Sequence, residues 1–101
     1  MLNDADILAV ARSVRERVLE GQMPNGMCGL VSPVLRTALE KRGMRVTIGD
    51  ARVSGHFHMY VVLPDHRILD ATADQFNIPQ RNITRHLPPV FLGVRPEWYK
   101  R

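Results

Sequence analysis

The stretch HFHMYVVLPDHRILDAT, residues 56–72, decides how the chain folds. Two runs rich in Val, Ile, Leu and aromatic residues flank Leu63-Pro64-Asp65, a turn signal between two strands. A three-residue loop centred on Pro64 pairs Val62 with His66, Tyr60 with Ile68 and His58 with Asp70. Residues paired across antiparallel strands share one face, with Cβ atoms about 4.5–5.5 Å apart. The expected register therefore sets a carboxylate beside an imidazole. His56 lies on the same face of the strand, opposite Thr72.

Upstream, RVTIG at residues 45–49 reads as a further strand, and PPVFLGV at residues 88–94 as a fourth. Pro88-Pro89 can begin such a strand but cannot sit in its interior. Residues 73–87 between them form a loop with one short helical turn. Before Met44 the hydrophobic period is helical. Residues 4–20 bury Ile7, Ala11, Val14 and Val18 on one face, with Asn3 or Asp4 as cap and Gly21 past the end. A second helix covers roughly residues 29–42 and stops at Gly43. Ser32-Pro33 is a good pair for a cap and first helical position, so the regular helix begins either there or nearer Cys28. Both starts leave Cys28 within about one turn of a helix N-terminus. The fold class expected is α+β, a single domain over residues 1–101.

Composition narrows the function classes. The chain is 45% hydrophobic and 24% charged, which predicts a folded domain. Its single cysteine excludes an internal disulfide and suits a reducing compartment. No apolar run reaches the roughly 18 residues of a membrane span, and no signal-peptide core opens the chain. The expectation is a soluble cytoplasmic protein, the alternative being a secreted effector domain without its own signal peptide. Fourteen Lys and Arg against ten Asp and Glu give a net charge of +4. These cations are scattered among only six aromatic residues, so a nucleic-acid partner is disfavoured. Asn82-Ile83-Thr84 matches a glycosylation acceptor, which a cytoplasmic chain would not use.

Thiol chemistry needs a thiolate, an imidazole to take and return its proton, and a group that orients the imidazole. Cys28 sits where unpaired backbone N–H groups stabilise a thiolate. His56, His58, His66 and His86 are the candidate imidazoles. His58, on a strand and facing Asp70, is the best placed.

The order of these residues resembles the papain-like and transglutaminase-like cysteine enzymes. CGLVSPVLRTALEKRG, residues 28–43, is similar to their nucleophile helix. HMYVVLPDHRILDAT, residues 58–72, is similar to their His-x-aromatic-Val hairpin followed by hydrophobic-Asp-x-Thr. DATADQF and PPVFLGVRPEWYK also resemble small bacterial transglutaminase-like proteins. The resemblance covers about residues 22–100. It implies a nucleophile helix packed on a small antiparallel sheet, with Cys28 as nucleophile, His58 as general base and acid, and Asp70 as orienter. Gln22, six residues before Cys28, matches the spacing of an oxyanion-hole glutamine. His56, Tyr60, Asp74 and Gln75 are the expected substrate-binding groups.

The function these features imply is thiol-dependent acyl transfer on amide bonds: cysteine protease, glutamine deamidase or transamidase. The substrate is a protein or peptide, and no cofactor or metal is needed. Two rivals remain. One is a catalytically silent papain-like module that binds a protein partner in the same groove. The other is a metal site from Cys28, His56 and His58, which lacks the usual second Cys or Glu-x-x-His.

Overall fold

The computed structural model describes residues 2–53, 55–76 and 87–100. Asn82 and His86 lie outside these residues. The chain is α+β: two helices, then a four-stranded antiparallel sheet. Helix α1 spans Asp4–Leu19. Asn3 and Asp6 form a capping box, the Asn3 side chain accepting the Asp6 N–H at 2.8 Å. The helix ends at Glu20 in the left-handed region, with Gly21 following at φ 83°.

Helix α2 spans Cys28–Glu40, so it begins at the cysteine and carries Pro33 inside it. Ser32-Pro33 does not start it. The Met27 carbonyl already accepts from the Leu30 and Val31 N–H groups, so the helical path is set before the proline arrives. Pro33 cannot donate to the Gly29 carbonyl, and burial of Val31, Leu35 and Leu39 further along offsets that loss.

Strands β1 (Thr47–Val53), β2 (His56–Val62), β3 (Ile68–Asp70) and β4 (Phe91–Gly93) pair in chain order, every neighbour antiparallel. The β2–β3 register differs from the expected one. Val62 pairs with Ile68 and Val61 with Leu69, so the loop is Pro64-Asp65-His66, centred on Asp65. Local chemistry explains the shift. The His66 N–H donates to the Leu63 carbonyl and the Leu63 N–H to the Arg67 carbonyl. His66 takes the left-handed position at φ 70°, which a three-residue hairpin loop demands. The Asp65 carboxylate accepts the Arg67 N–H at 3.1 Å. Every pairing moves by two residues. Two is even, so no side chain changes face: the register continued puts Tyr60 opposite Asp70 and leaves His58 on the diagonal, on the same face. His56 pairs with Val53 of β1, and on its other edge the β2–β3 pairing ends at Val61, so His56 has no partner at Thr72.

One face of the sheet, through Val61 and Leu69, packs on Ile7, Ala11 and Val14 of α1 and on Val31, Leu35 and Leu39 of α2. The other carries Ala51, Val53, Tyr60 and Ile68 beneath Tyr99. The segment bearing Tyr99 is fastened to β1 by a pair of backbone hydrogen bonds between Arg52 and Lys100. Among the described residues, no helix is long and apolar enough to cross a membrane.

Gly49 pairs with Tyr60, and the buried ring of Tyr60 lies over it. A Cβ there would come within 2.6 Å of a Tyr60 ring carbon and 2.8 Å of a Val62 methyl. Gly49→Ala is expected to lower stability by about 1–3 kcal/mol through overpacking. Urea unfolding checks this; an unchanged midpoint would show that the ring moves aside freely.

Candidate active site

Of strand β2, β3 pairs only with Val61 and Val62, which leaves the His56–Tyr60 edge of β2 without that neighbour. The start of α2 and the short helical turn Ala73–Phe76 come in beside this edge. Cys28 is the first residue of α2, where the helix dipole favours a negative charge. Its thiol reaches the His58 imidazole, the backbone N–H of Met59 and the Gln75 side chain.

His58 is fully buried. Its Nε2 lies 2.5 Å from Asp70 Oδ2, and its Nδ1 lies 2.7 Å from Gln75 Nε2. Nε2 therefore carries a proton donated to the carboxylate, and Nδ1 is the atom turned toward Cys28 and Gln75. Asp70 is also buried and its acceptor sites are filled. Tyr99 donates its hydroxyl to Oδ2 at 2.6 Å, and the Thr72 N–H donates to Oδ1 at 3.0 Å. The His58 and Tyr99 rings meet edge to face with centroids 5.4 Å apart.

Electrostatics follow from this packing. Burial opposes ionisation of the Cys28 thiol and is the largest single influence. Hydrogen bonds from His58, Met59 and Gln75, with the His58 charge, outweigh it and hold the thiol below its ordinary pKa. Burial likewise works against a charged His58. The Asp70 and Cys28 hydrogen bonds and their negative charge win, and His58 is pushed up to about 9. The two shifts together favour a thiolate–imidazolium pair at neutral pH. Burial, then the Asp70 charge beside it, pushes the Tyr99 hydroxyl well above its usual value.

Cys28, Gln75 and His56 line one cleft of about 340 Å³, with Gly26, Gly29, Phe57 and Met59. A larger hollow of about 450 Å³ lies near Glu40, Arg45 and Pro64 and holds no thiol.

The structure thus brings Cys28, His58, Asp70 and Gln75 together and sets the exposed His56 in the cleft wall. Cys28 is more enclosed than a partly exposed thiol, at 7%. Three other residues lie elsewhere. Tyr60 is buried outside the cleft lining, its hydroxyl donating to the Asp50 carbonyl at 3.3 Å. Asp74 is held by Arg15 in a two-point ion pair at 2.7 and 2.8 Å, and it too is absent from the cleft wall. Gln22 is exposed in the loop between the helices, and Gln75 is the amide that meets the imidazole. Among the described residues, no three His, Cys, Asp or Glu side chains converge in a metal-binding arrangement.

Tyr99 and Thr72 are the site residues that sequence reasoning missed. Asp70-Ala71-Thr72 carried a signal for Thr72, since an Asp commonly accepts the N–H two residues on. Tyr99 carried none, because a contact across 29 residues depends on how the final segment docks. Tyr99→Phe keeps the ring and deletes the donor to Asp70. It is expected to cost about 1–2 kcal/mol, which thermal unfolding would register as a fall of several degrees. A midpoint equal to wild type would mean that the hydroxyl adds nothing net.

No protein-family model matches this sequence, and neither a curated protein nor a solved structure matches it, so the chemistry of the site rests on its own residues.

Proposed function

We propose that the protein is a thiol-dependent acyl-transfer enzyme acting on amide bonds, with a papain-like arrangement of Cys28, His58 and Asp70. The observation that carries this reading is the buried chain of contacts from the Cys28 thiol through the His58 ring to Asp70. The thiol proton passes to His58 Nδ1, and the sulfur attacks the carbonyl carbon of an amide. His58 then gives that proton to the departing nitrogen, leaving an acyl thioester on Cys28. Water or an amine resolves the thioester, with His58 acting as base. Asp70 keeps the proton on Nε2 and steadies the imidazolium. The backbone N–H of Cys28, at the start of α2, is positioned to help hold the developing oxyanion; one such donor is worth about 3–4 kcal/mol.

The cleft supports a neutral substrate group. Among the described residues, no Asp, Glu, Lys or Arg lines it, and Phe57 and Met59 offer an apolar wall. Protease, deamidase and transamidase share this first half-reaction. Incubation with a peptide library, read by mass spectrometry, separates them: cleavage, a one-dalton gain on a carboxamide, or an amine adduct. Products that vanish in Cys28→Ala support the reading. Peptides that bind wild type and leave it chemically unchanged would overturn it in favour of a binding module.

A further inference from the structure

Gln75 faces two partners that compete for it. Its Oε1 accepts the Gly26 N–H at 3.1 Å, which orients the amide, because the reversed orientation would set N–H against N–H. Its Nε2 therefore points at His58 Nδ1, 2.7 Å away, and at Thr72 Oγ1, 3.1 Å away. Nε2 of the same ring is committed to Asp70, so Nδ1 bears the only lone pair of a neutral imidazole. Gln75 and the Cys28 thiol are both donors, and both lie within reach of that lone pair.

We propose that Gln75 is a hydrogen-bond switch in the active site: its amide N–H occupies Nδ1 while His58 is neutral and passes to the Cys28 sulfur when Nδ1 is protonated. The step balances. The thiol proton moves to Nδ1, the sulfur gains the negative charge, and the amide keeps both hydrogens while one changes acceptor. An imidazolium N–H and an amide N–H cannot remain face to face at this distance, so the donor must turn. The thiolate it turns to is the better acceptor, since hydrogen bonds to ionised groups are roughly twice as strong as neutral ones. Among the described residues, titratable side chains that meet His58 include Cys28, Asp70, Tyr60 and Tyr99, with His56 in the wall of the same cleft. Gln75 is the amide that contacts both Nδ1 and the sulfur. Gly26 belongs to the loop before α2, so Gln75 also ties the nucleophile's own helix to the base.

This role rests on the reading above only in that the proton passes from Cys28 to His58. The test is the rate of iodoacetamide alkylation from pH 5 to 10 on the full chain, for wild type, Gln75→Met, Gln75→Glu and His58→Ala. Gln75→Met keeps the bulk and loses the donor, and alkylation at pH 6 should be about threefold slower. Gln75→Glu keeps an acceptor for Gly26 but sets a carboxylate on Nδ1 and beside the sulfur. It should be slower by about tenfold or more. Gln75→Met alone decides if the Glu variant does not fold. A Met variant as fast as wild type or faster overturns the switch. If wild type and His58→Ala share one ordinary thiol profile, the catalytic pair fails and the switch falls with it. If those two differ while the Gln75 variants match wild type, the switch alone fails.

Discussion

His58→Ala is expected to react with iodoacetamide at pH 6 about ten to a hundred times more slowly than wild type, while His56→Ala keeps most of the rate. The thiol of Cys28 lies in a buried setting that opposes its ionisation, and His58 supplies both a hydrogen bond and a positive charge against that burial. Without the ring, burial dominates and the thiol rises to its ordinary value or above. Ordinary thiols, with a pKa near 8.5, carry well under 1% thiolate at pH 6. A lower intrinsic nucleophilicity of the acidic thiolate trims the ratio, hence the range rather than a larger figure. His56 is exposed in the cleft wall and does not contribute to the Cys28 shift. Equal slowing in both variants would mean that the thiol is governed by the cleft as a whole.

Asp70→Ala should be the most damaging single substitution in the site, costing about 3–5 kcal/mol. The carboxylate is buried and accepts from His58, Tyr99 and Thr72, so its removal leaves several enclosed donors without an acceptor. His58 would also fall from about 9, because burial lowers it and only Cys28 is left to raise it once the carboxylate is gone. Urea unfolding checks the cost; a loss under 1 kcal/mol would show that water or another acceptor replaces the carboxylate.

The same contacts set a pH dependence. The folded value of His58, about 9, lies above the ordinary 6.5. Its contribution to stability is therefore complete below pH 6.5 and lost as the pH rises through about 9. Cys28 is shifted the other way, so its contribution is present above 9.0 and lost as the pH falls through its lowered value. Between 6.5 and 9 the two slopes oppose each other in wild type. Cys28→Ala leaves the His58 slope alone, and its stability should decline with rising pH over that interval. A flat profile for that variant would mean that Asp70 does not hold the imidazolium without the thiolate.

How much of this was legible in the sequence depended on parity more than on register. The hairpin over residues 56–72 was displaced by two residues from the expected pairing, yet His58 and Asp70 still meet, because an even displacement preserves the faces. Turn chemistry at His66 and Asp65, rather than Pro64, decided the displacement. The sequence leaves the α2 start between two positions: Pro33 favours a later beginning, and the chain turns helical at Cys28, next to the expected residue 29, because its apolar face is buried further along. Asp74 and Tyr60 illustrate what a sequence conceals. Each was near the right residues in order, but Arg15 of α1 claimed the first and the packing under Tyr99 claimed the second. Both partners come from distant parts of the chain, where local pattern carries no information.

The assembly of the site from separate segments has a consequence for how the protein is handled. The groups that make the Cys28 thiol acidic, His58, Met59 and Gln75, lie on β2 and the turn after β3, so the acidic thiol exists only after these have met the start of α2. Buried cysteines normally become more reactive when a protein opens. Here the order is inverted at pH 6: a native molecule should be labelled quickly, and an unfolded one slowly. A brief pulse of alkylating reagent during refolding would thus tag the molecules that have finished rather than those still in transit.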